Sequence, residues 1–239
     1  MTGGEAWELF WAGSGLTPAT APAFGERLAA FAPGDEGFRL CTFPAGAVPL
    51  RRPDDRLARL TDRRRSGRAF GPGALSLRQL GSLLGALAAR PDGSRAYPSA
   101  GALYPLEVFC LAGEVEGGLA ATVGCYNPRG HSLTPVGPLP PWPEWSGALN
   151  LVVEGVPQLV VVFVLLTEQV VAKYGDLGGR LALVEVGHAA QNLALRLAAD
   201  GLVGCEAGGV VEPDLLPLLR LDGTPARVAL AYACGLPPR

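Results

Sequence analysis

Lysine is almost missing from this chain: nineteen of its twenty basic residues are arginine, and the one lysine is Lys173. Histidine is nearly as scarce. With only His131 and His188, a Ser–His or Cys–His catalytic pair has no local signature behind it. The five cysteines (41, 110, 125, 205 and 234) are odd in number and never fall at C-x-x-C spacing. That argues against a disulfide framework and a zinc site, and suits a reducing cytoplasm. Neither a P-loop nor a G-x-G-x-x-G fingerprint is present. The net charge of −2 gives no general electrostatic footprint for nucleic acid or an anionic membrane. The longest apolar run, Val156 to Thr167, is about half of what a bilayer crossing needs and reads as a buried strand. No secretory signal is expected at the N-terminus, which lacks a basic region followed by an apolar core.

What is present is the composition of a folded protein. Hydrophobic residues make up 49% of 239 and charged ones 18%, enough for one large domain or two small ones. Residues 1–50 are rich in Gly, Ala and Pro and read as a peripheral extension of unassigned role, with a helical candidate at Pro22–Phe31. Residues 51–239 carry the main domain. Ser76 to Arg90 reads as a helix, because leucines recur at three- and four-residue spacing behind a serine N-cap. "LEVFCLAG", "LAATVGCY", "HSLTPV" and "ARVALAYACG" read as strands. "GPLPPWPEWSG" reads as an irregular Pro- and Trp-rich loop whose aromatics either cap a pocket or pack the loop down. A long helix covers about Leu181 to Asp200, stopped by Gly201, and "VVEPDLLPLLRL" gives a short one. Strands and helices mix without a βαβ repeat, which favours an α+β fold.

Five stretches can carry chemistry. "RRRSGRAF", Arg63 to Phe70, groups four arginines around a serine, either an anion site built on guanidinium forks or a solvated charge run. "PSAG", Pro98 to Gly101, is either a plain turn or a place where bare backbone approaches a flat ligand. In the long helix Glu185, His188, Asn192 and Arg196 share a stripe roughly 80° wide, which a core partner, a second subunit or a ligand must satisfy. Glu185 and His188 have E-x-x-H spacing, but a di-iron site needs the motif twice plus further glutamates, so no metal is expected. "CEAGG" offers a second bare turn at Gly208–Gly209, and "AKYG" sets Lys173 beside Tyr174, an acid–base pair or an exposed linker.

Taken in order, "RRSGRAF", "LSLRQLGSLLGAL", "YPSAGALYPLEVF", "GCYNPRGHSL", "AKYG", "GGRLALVEVGHAAQNLALRLAADGL" and "AGG" resemble the SagB/McbC-type azoline dehydrogenases. These are flavin enzymes of the nitroreductase superfamily that act in peptide natural-product pathways. The resemblance runs from about Arg63 to the C-terminus. It implies a three-layer α+β sandwich with a mixed or antiparallel central sheet flanked by helices, and a homodimer with FMN at its interface. By motif position, Arg64, Ser66 and Arg68 hold the flavin phosphate and ribityl chain. Pro98, Ser99, Ala100 and Gly101 approach the flavin from the partner chain, and Gly208 and Gly209 lie against its N5 edge. Gln191 and Asn192 match a "QN" assigned to dimer and core packing.

Lys173 and Tyr174 match the pair associated with catalysis. Aromatising a thiazoline or oxazoline removes a hydride to the flavin and a proton to a base, and an ammonium beside a phenol favours its ionised form. The implied substrate is a peptide, with a cyclodehydratase or carrier protein as its presenter. The alternatives are a general NAD(P)H-dependent nitro or quinone reductase, and a catalytically inactive partner subunit of the same fold. Two features depart from simple nitroreductases. The end "GLPPR" leaves only Arg239 and Arg227 as C-terminal phosphate contacts. Gly208 stands where many carry an acidic residue, which favours the peptide-modifying branch.

Overall fold

A computed structural model describes residues 4–30 and 48–238; Phe31, Cys41 and Arg239 lie outside them. The elements run α1 (Glu5–Ser14), α2 (Ala21–Ala30), α3 (Arg56–Arg63), α4 (Leu77–Gly85), β1 (Leu106–Ala112), β2 (Thr122–Asn127), β3 (Ser132–Pro138), α5 (Trp142–Trp145), β4 (Leu159–Leu165), α6 (Glu168–Tyr174), α7 (Asp176–Asp200), β5 (Val203–Ala207), α8 (Glu212–Leu215) and β6 (Arg227–Gly235). The six strands form one sheet in the order β3-β2-β1-β4-β6-β5, and every pairing is antiparallel.

Both faces of the sheet are covered, as its central strands require. In β4, Leu159, Val161, Phe163 and Leu165 point into one core with α4 and α7. Val160, Val162 and Val164 point into a second core with the 142–149 segment and α8. This two-residue alternation gives the three layers of the sandwich. The continuous apolar run of 156–167 is thus a strand buried on both sides rather than a span. Among the described residues no helix is long and apolar enough to cross a membrane.

Local chemistry explains most boundaries. Ser76 caps α4 with a reciprocal capping box to Gln79, which satisfies two orphan amides at once. The helix ends at Gly85, short of the expected Arg90, and a turn follows. Helix α7 begins five residues earlier than its leucine periodicity suggests, at Asp176, and ends at left-handed Gly201 (φ 69°). The segment expected to be irregular contains the helical turn α5. Pro143 sits in its first turn, where a missing N–H costs nothing. Its tryptophans pack the sheet's second face, with Trp145 buried and its indole donating to Pro140 O at 3.1 Å.

The N-terminal segment is firmly attached. Trp7 is 4% exposed and lies flat on Gly179 of α7, so close that a Cβ there would overlap its indole ring. Its amide donates to Asp176 Oδ1 at 3.0 Å. Arg227 bonds Glu8 at 2.6 Å, so this arginine, one of the two phosphate candidates near the C-terminus, is already engaged by a carboxylate.

Candidate functional site

The residues singled out above fall into two groups on the chain. The first follows the outer strand β5. Gly67 N donates to Gly204 O at 2.9 Å, and this lays the arginine-rich run along the strand. Arg64 is half-buried, Arg63, Arg65 and Arg68 are exposed, and Arg64 makes a long 3.4 Å bond to Ser66 Oγ. A cavity of about 130 Å³ opens between Arg63, Arg65, Gly67, Val203 and Tyr232. Burial pushes the Cys205 thiol up, and the Arg68 guanidinium opposes it. Gly208 and Gly209 follow directly. A side chain at Gly208 would meet nothing, so its backbone lies open.

The second group surrounds Pro98–Gly101. Gly101, Ala102 and Tyr104 have positive φ (60°, 56° and 49°) on either side of right-handed Leu103, and each of the two non-glycine residues costs about 1–3 kcal/mol. The surroundings hold it in place. Tyr104 N donates to Ser99 Oγ at 2.9 Å, Arg95 N donates to the Tyr104 hydroxyl at 3.1 Å, and the Arg95 guanidinium lies 4.8 Å from the Tyr104 ring centroid. From beneath, Asn192 of α7 donates to Ala96 O at 3.3 Å.

Lys173 and Tyr174, at the end of α6, converge on this turn from the same chain. A Cβ built on Gly101 would lie 2.5 Å from Lys173 Nζ and 2.6 Å from the Tyr174 hydroxyl. The ammonium sits 5.2 Å from its neighbour's ring centroid. Neither head takes part in a hydrogen bond or ion pair among the described residues. Lys173 Nζ and the Tyr174 hydroxyl thus meet over one glycine of the turn.

The stripe on α7 resolves residue by residue. Asn192 holds the turn, Arg196 pairs with Asp200, and His188 is exposed. Among the described residues no cluster of His, Cys, Asp and Glu could hold a metal. Glu185 is 2% exposed, and neither carboxyl oxygen meets a hydrogen-bond partner at normal geometry. Burial raises its pKa, opposed by the nearby Ser99 hydroxyl and the Arg95 charge.

A raised carboxyl pKa stabilises the fold at low pH, and that contribution is lost as pH rises from the unfolded carboxyl value, 4.5, through the folded one. Glu185→Gln keeps the shape without the ionisation. The amide is left as unpartnered as the neutral acid, so the two proteins differ by the cost of ionising an unpartnered buried carboxyl, about 1–3 kcal/mol, and each kcal/mol moves Tm by about 2–4 °C at this size. The variant should therefore gain several degrees over wild type at pH 8 and little at pH 4.5. A difference in Tm that stays flat between those pH values would contradict this. Glu107, also raised by burial, is common to both proteins and cancels.

Arg95, Tyr104 and the N-terminal aromatics carry the site's geometry without having been singled out in the sequence. The spacing of Trp7, Phe10 and Trp11 was the available signal: three aromatics on one helical face.

A model of the nitroreductase family matches residues 61–236. The chain belongs to the nitroreductase family. Membership makes it an oxidoreductase by fold and sequence. It is 30% identical over 184 residues to the nitroreductase-type protein MJ1384 of Methanocaldococcus jannaschii, covering 74% of this chain and 92% of that one. It is 33% identical over 156 residues to the microcin B17-processing protein McbC of Escherichia coli, covering 62% of this chain and 57% of McbC. In McbC, then, the match spans little more than half the length.

Among solved structures, a chain of the E. coli microcin synthetase McbBCD complex with truncated pro-MccB17 bound superposes with TM-score 0.70 at 26% identity, over 94% of this chain and 85% of that one. A Ralstonia eutropha nitroreductase structure gives 0.67 at 22% identity, over 81% and 88%. A Desulfovibrio desulfuricans structure in complex with FMN gives 0.51 at 18%, over 78% and 89%. The last two share the fold.

Proposed function

We propose that this protein is an FMN-dependent dehydrogenase that oxidises a thiazoline or oxazoline ring of a peptide to the thiazole or oxazole. The observation that carries the reading is the convergence of Lys173 and Tyr174 on Gly101. A simple reductase passing electrons to a quinone or nitro group has no need of a base at that point. The match to McbC and to the peptide-bound McbBCD structure supports the same branch.

The residues present fit FMN. Along β5 a cationic run, Arg64, Ser66 and Arg68, leads to the bare backbone of Gly208–Gly209, which suits a ligand charged at one end and flat at the other. FMN, when bound, supplies the acceptor for the two electrons that leave the ring. The chain's own residues do the rest. Tyr174, acting through its phenolate form, takes the proton from the ring carbon next to the one that loses the hydride and becomes the neutral phenol. Lys173 places its ammonium beside the oxygen that carries the negative charge before the transfer. The strained turn from Pro98 to Gly101 sets where both heads stop.

Among the described residues the two groups share no hydrogen bond or ion pair, and α7 contacts both β5 and the Ala100–Ala102 turn. A two-fold pair of chains would join the β5 edge of one to the Gly101 corner of the other. This accords with a homodimer that shares its flavin sites.

The test is direct. Purified protein should show flavin absorbance, or acquire it with added FMN, and should remove two hydrogens by mass from a synthetic peptide carrying one thiazoline or oxazoline. Flavin-loaded protein that turns over nitroaromatics with NADPH but leaves both azoline peptides intact would overturn the assignment. Protein that binds no flavin would point to the inactive-subunit reading instead.

A further inference from the structure

Residues 4–30 stand outside the 61–236 span of the family match, yet they enclose part of the site. Helix α1 is fastened at both ends. Trp7 rests on Gly179, and the Trp11 indole donates to both carboxylate oxygens of Glu212 at 3.3 Å. Glu212 also accepts Val228 N at 2.6 Å, which fixes the carboxylate against the sheet. Beyond α1 the chain runs beside Val211 through a parallel bridge from Leu16. It then places Phe24 so that a Cβ on Gly209 would lie 3.0 Å from that ring and 3.3 Å from Leu16. Between this segment and the Gly208–Gly209 turn lies a chamber of about 760 Å³. Phe10, Trp11 and Phe24 line it together with the glycine turn and with Val228 and Ala229 of β6.

We propose that residues 4–30 are the substrate wall of the enzyme, and that the chamber takes an extended peptide segment carrying a planar five-membered heterocycle. The proposal rests on the azoline reading above for the class of ring. Three features specify this occupant. Aromatic side chains share the lining with Gly208, beside which a Cβ would meet nothing, so a flat ring has room against that backbone, while Phe24 already covers Gly209. The volume far exceeds one five-membered ring and leaves room for residues on either side of it. Phe10 keeps more than half of its surface exposed, at 54%. It reaches the chamber and stacks on Trp7 at 6.0 Å between ring centroids.

The experiment uses full-length, FMN-loaded protein and a synthetic hexapeptide carrying one thiazole, which is already oxidised and so binds without turnover. Calorimetry measures its affinity for wild type, Phe10→Ala and Phe24→Ala, and flavin absorbance per chain is recorded for each. We expect about tenfold weaker binding in each variant, with flavin content unchanged. Gly179→Ala, which displaces Trp7 and with it α1, should lose peptide binding more completely while keeping flavin. Affinities equal to wild type in the two phenylalanine variants would overturn the proposal, as would wild-type protein that does not bind the thiazole peptide. Flavin loss with unchanged peptide affinity would also overturn it, by assigning the chamber to the cofactor. Wild-type protein that binds the thiazole peptide but does not oxidise its azoline counterpart would refute the dehydrogenase reading and leave the chamber standing.

Discussion

Tyr174→Phe protein is expected to fold, to hold its flavin and to bind peptide, while oxidising azoline rings about two to four orders of magnitude more slowly than wild type, the usual contribution of a positioned acid–base group. The phenol hydroxyl makes no hydrogen bond among the described residues, so its removal leaves no partner stranded. The ring itself is half-buried against the α4–α7 core, and phenylalanine keeps that packing. The loss should therefore appear in kcat with KM nearly unchanged, the signature of a group that acts only as the proton leaves. Reduction of the flavin by a generic donor, which uses no ring proton, should be spared. The check is steady-state oxidation of a thiazoline peptide followed by mass, alongside the visible spectrum. Full ring oxidation by the variant would remove Tyr174 from the mechanism. Equal loss of peptide oxidation and generic flavin reduction would make it a structural residue.

How far this corner could be read in the sequence depends on the range of the forces that build it. β4 was legible because a strand buried on both faces has no polar alternation, and its valines and leucines run unbroken. α7 was legible from its apolar residues and its glycine stop, although its first turn carries two adjacent glycines, Gly178 and Gly179, that read as a break. α6 was harder. Seven residues beside a glycine read as linker, and the helix is defined by its docking against α7. The tryptophans of α5 sit among prolines that forbid a helix interior but not a first turn. α1 was hidden for a different reason. Its aromatic stripe is locally clear, but its partner is Gly179, some 170 residues away, and nothing near Trp7 announces that a glycine will receive it. The same holds at the site itself. "PSAG" and "AKYG" were each as consistent with a plain turn or a linker as with a site. What makes them one feature is a tertiary contact between residues more than seventy positions apart, and the strain at Ala102 and Tyr104 that the contact requires.

Gly101→Ala tests that contact. Two effects add at this position. At φ 60° an alanine pays the left-handed penalty, about 1–2 kcal/mol. The new methyl would also fall 2.5 Å from Lys173 Nζ and 2.6 Å from the Tyr174 hydroxyl. Both neighbours are the far ends of flexible side chains, so they swing aside and the backbone need not rebuild. The stability cost should accordingly stay near the backbone term, about 2–8 °C in Tm at this size. Activity should suffer far more, because a shift of about 1 Å in a catalytic group can cost 100-fold, and here both groups shift together. The expected variant is folded and flavin-loaded, with peptide affinity close to wild type and ring oxidation reduced about 100-fold or more. Gly208→Ala provides the contrast, since its Cβ meets nothing on this chain; harm there should fall on flavin binding. If Gly101→Ala kept full activity at a slightly lower Tm, the closeness of the two side chains to the turn would be incidental to the chemistry. Loss of flavin from Gly101→Ala but not from Gly208→Ala would exchange the roles assigned to the two glycine turns.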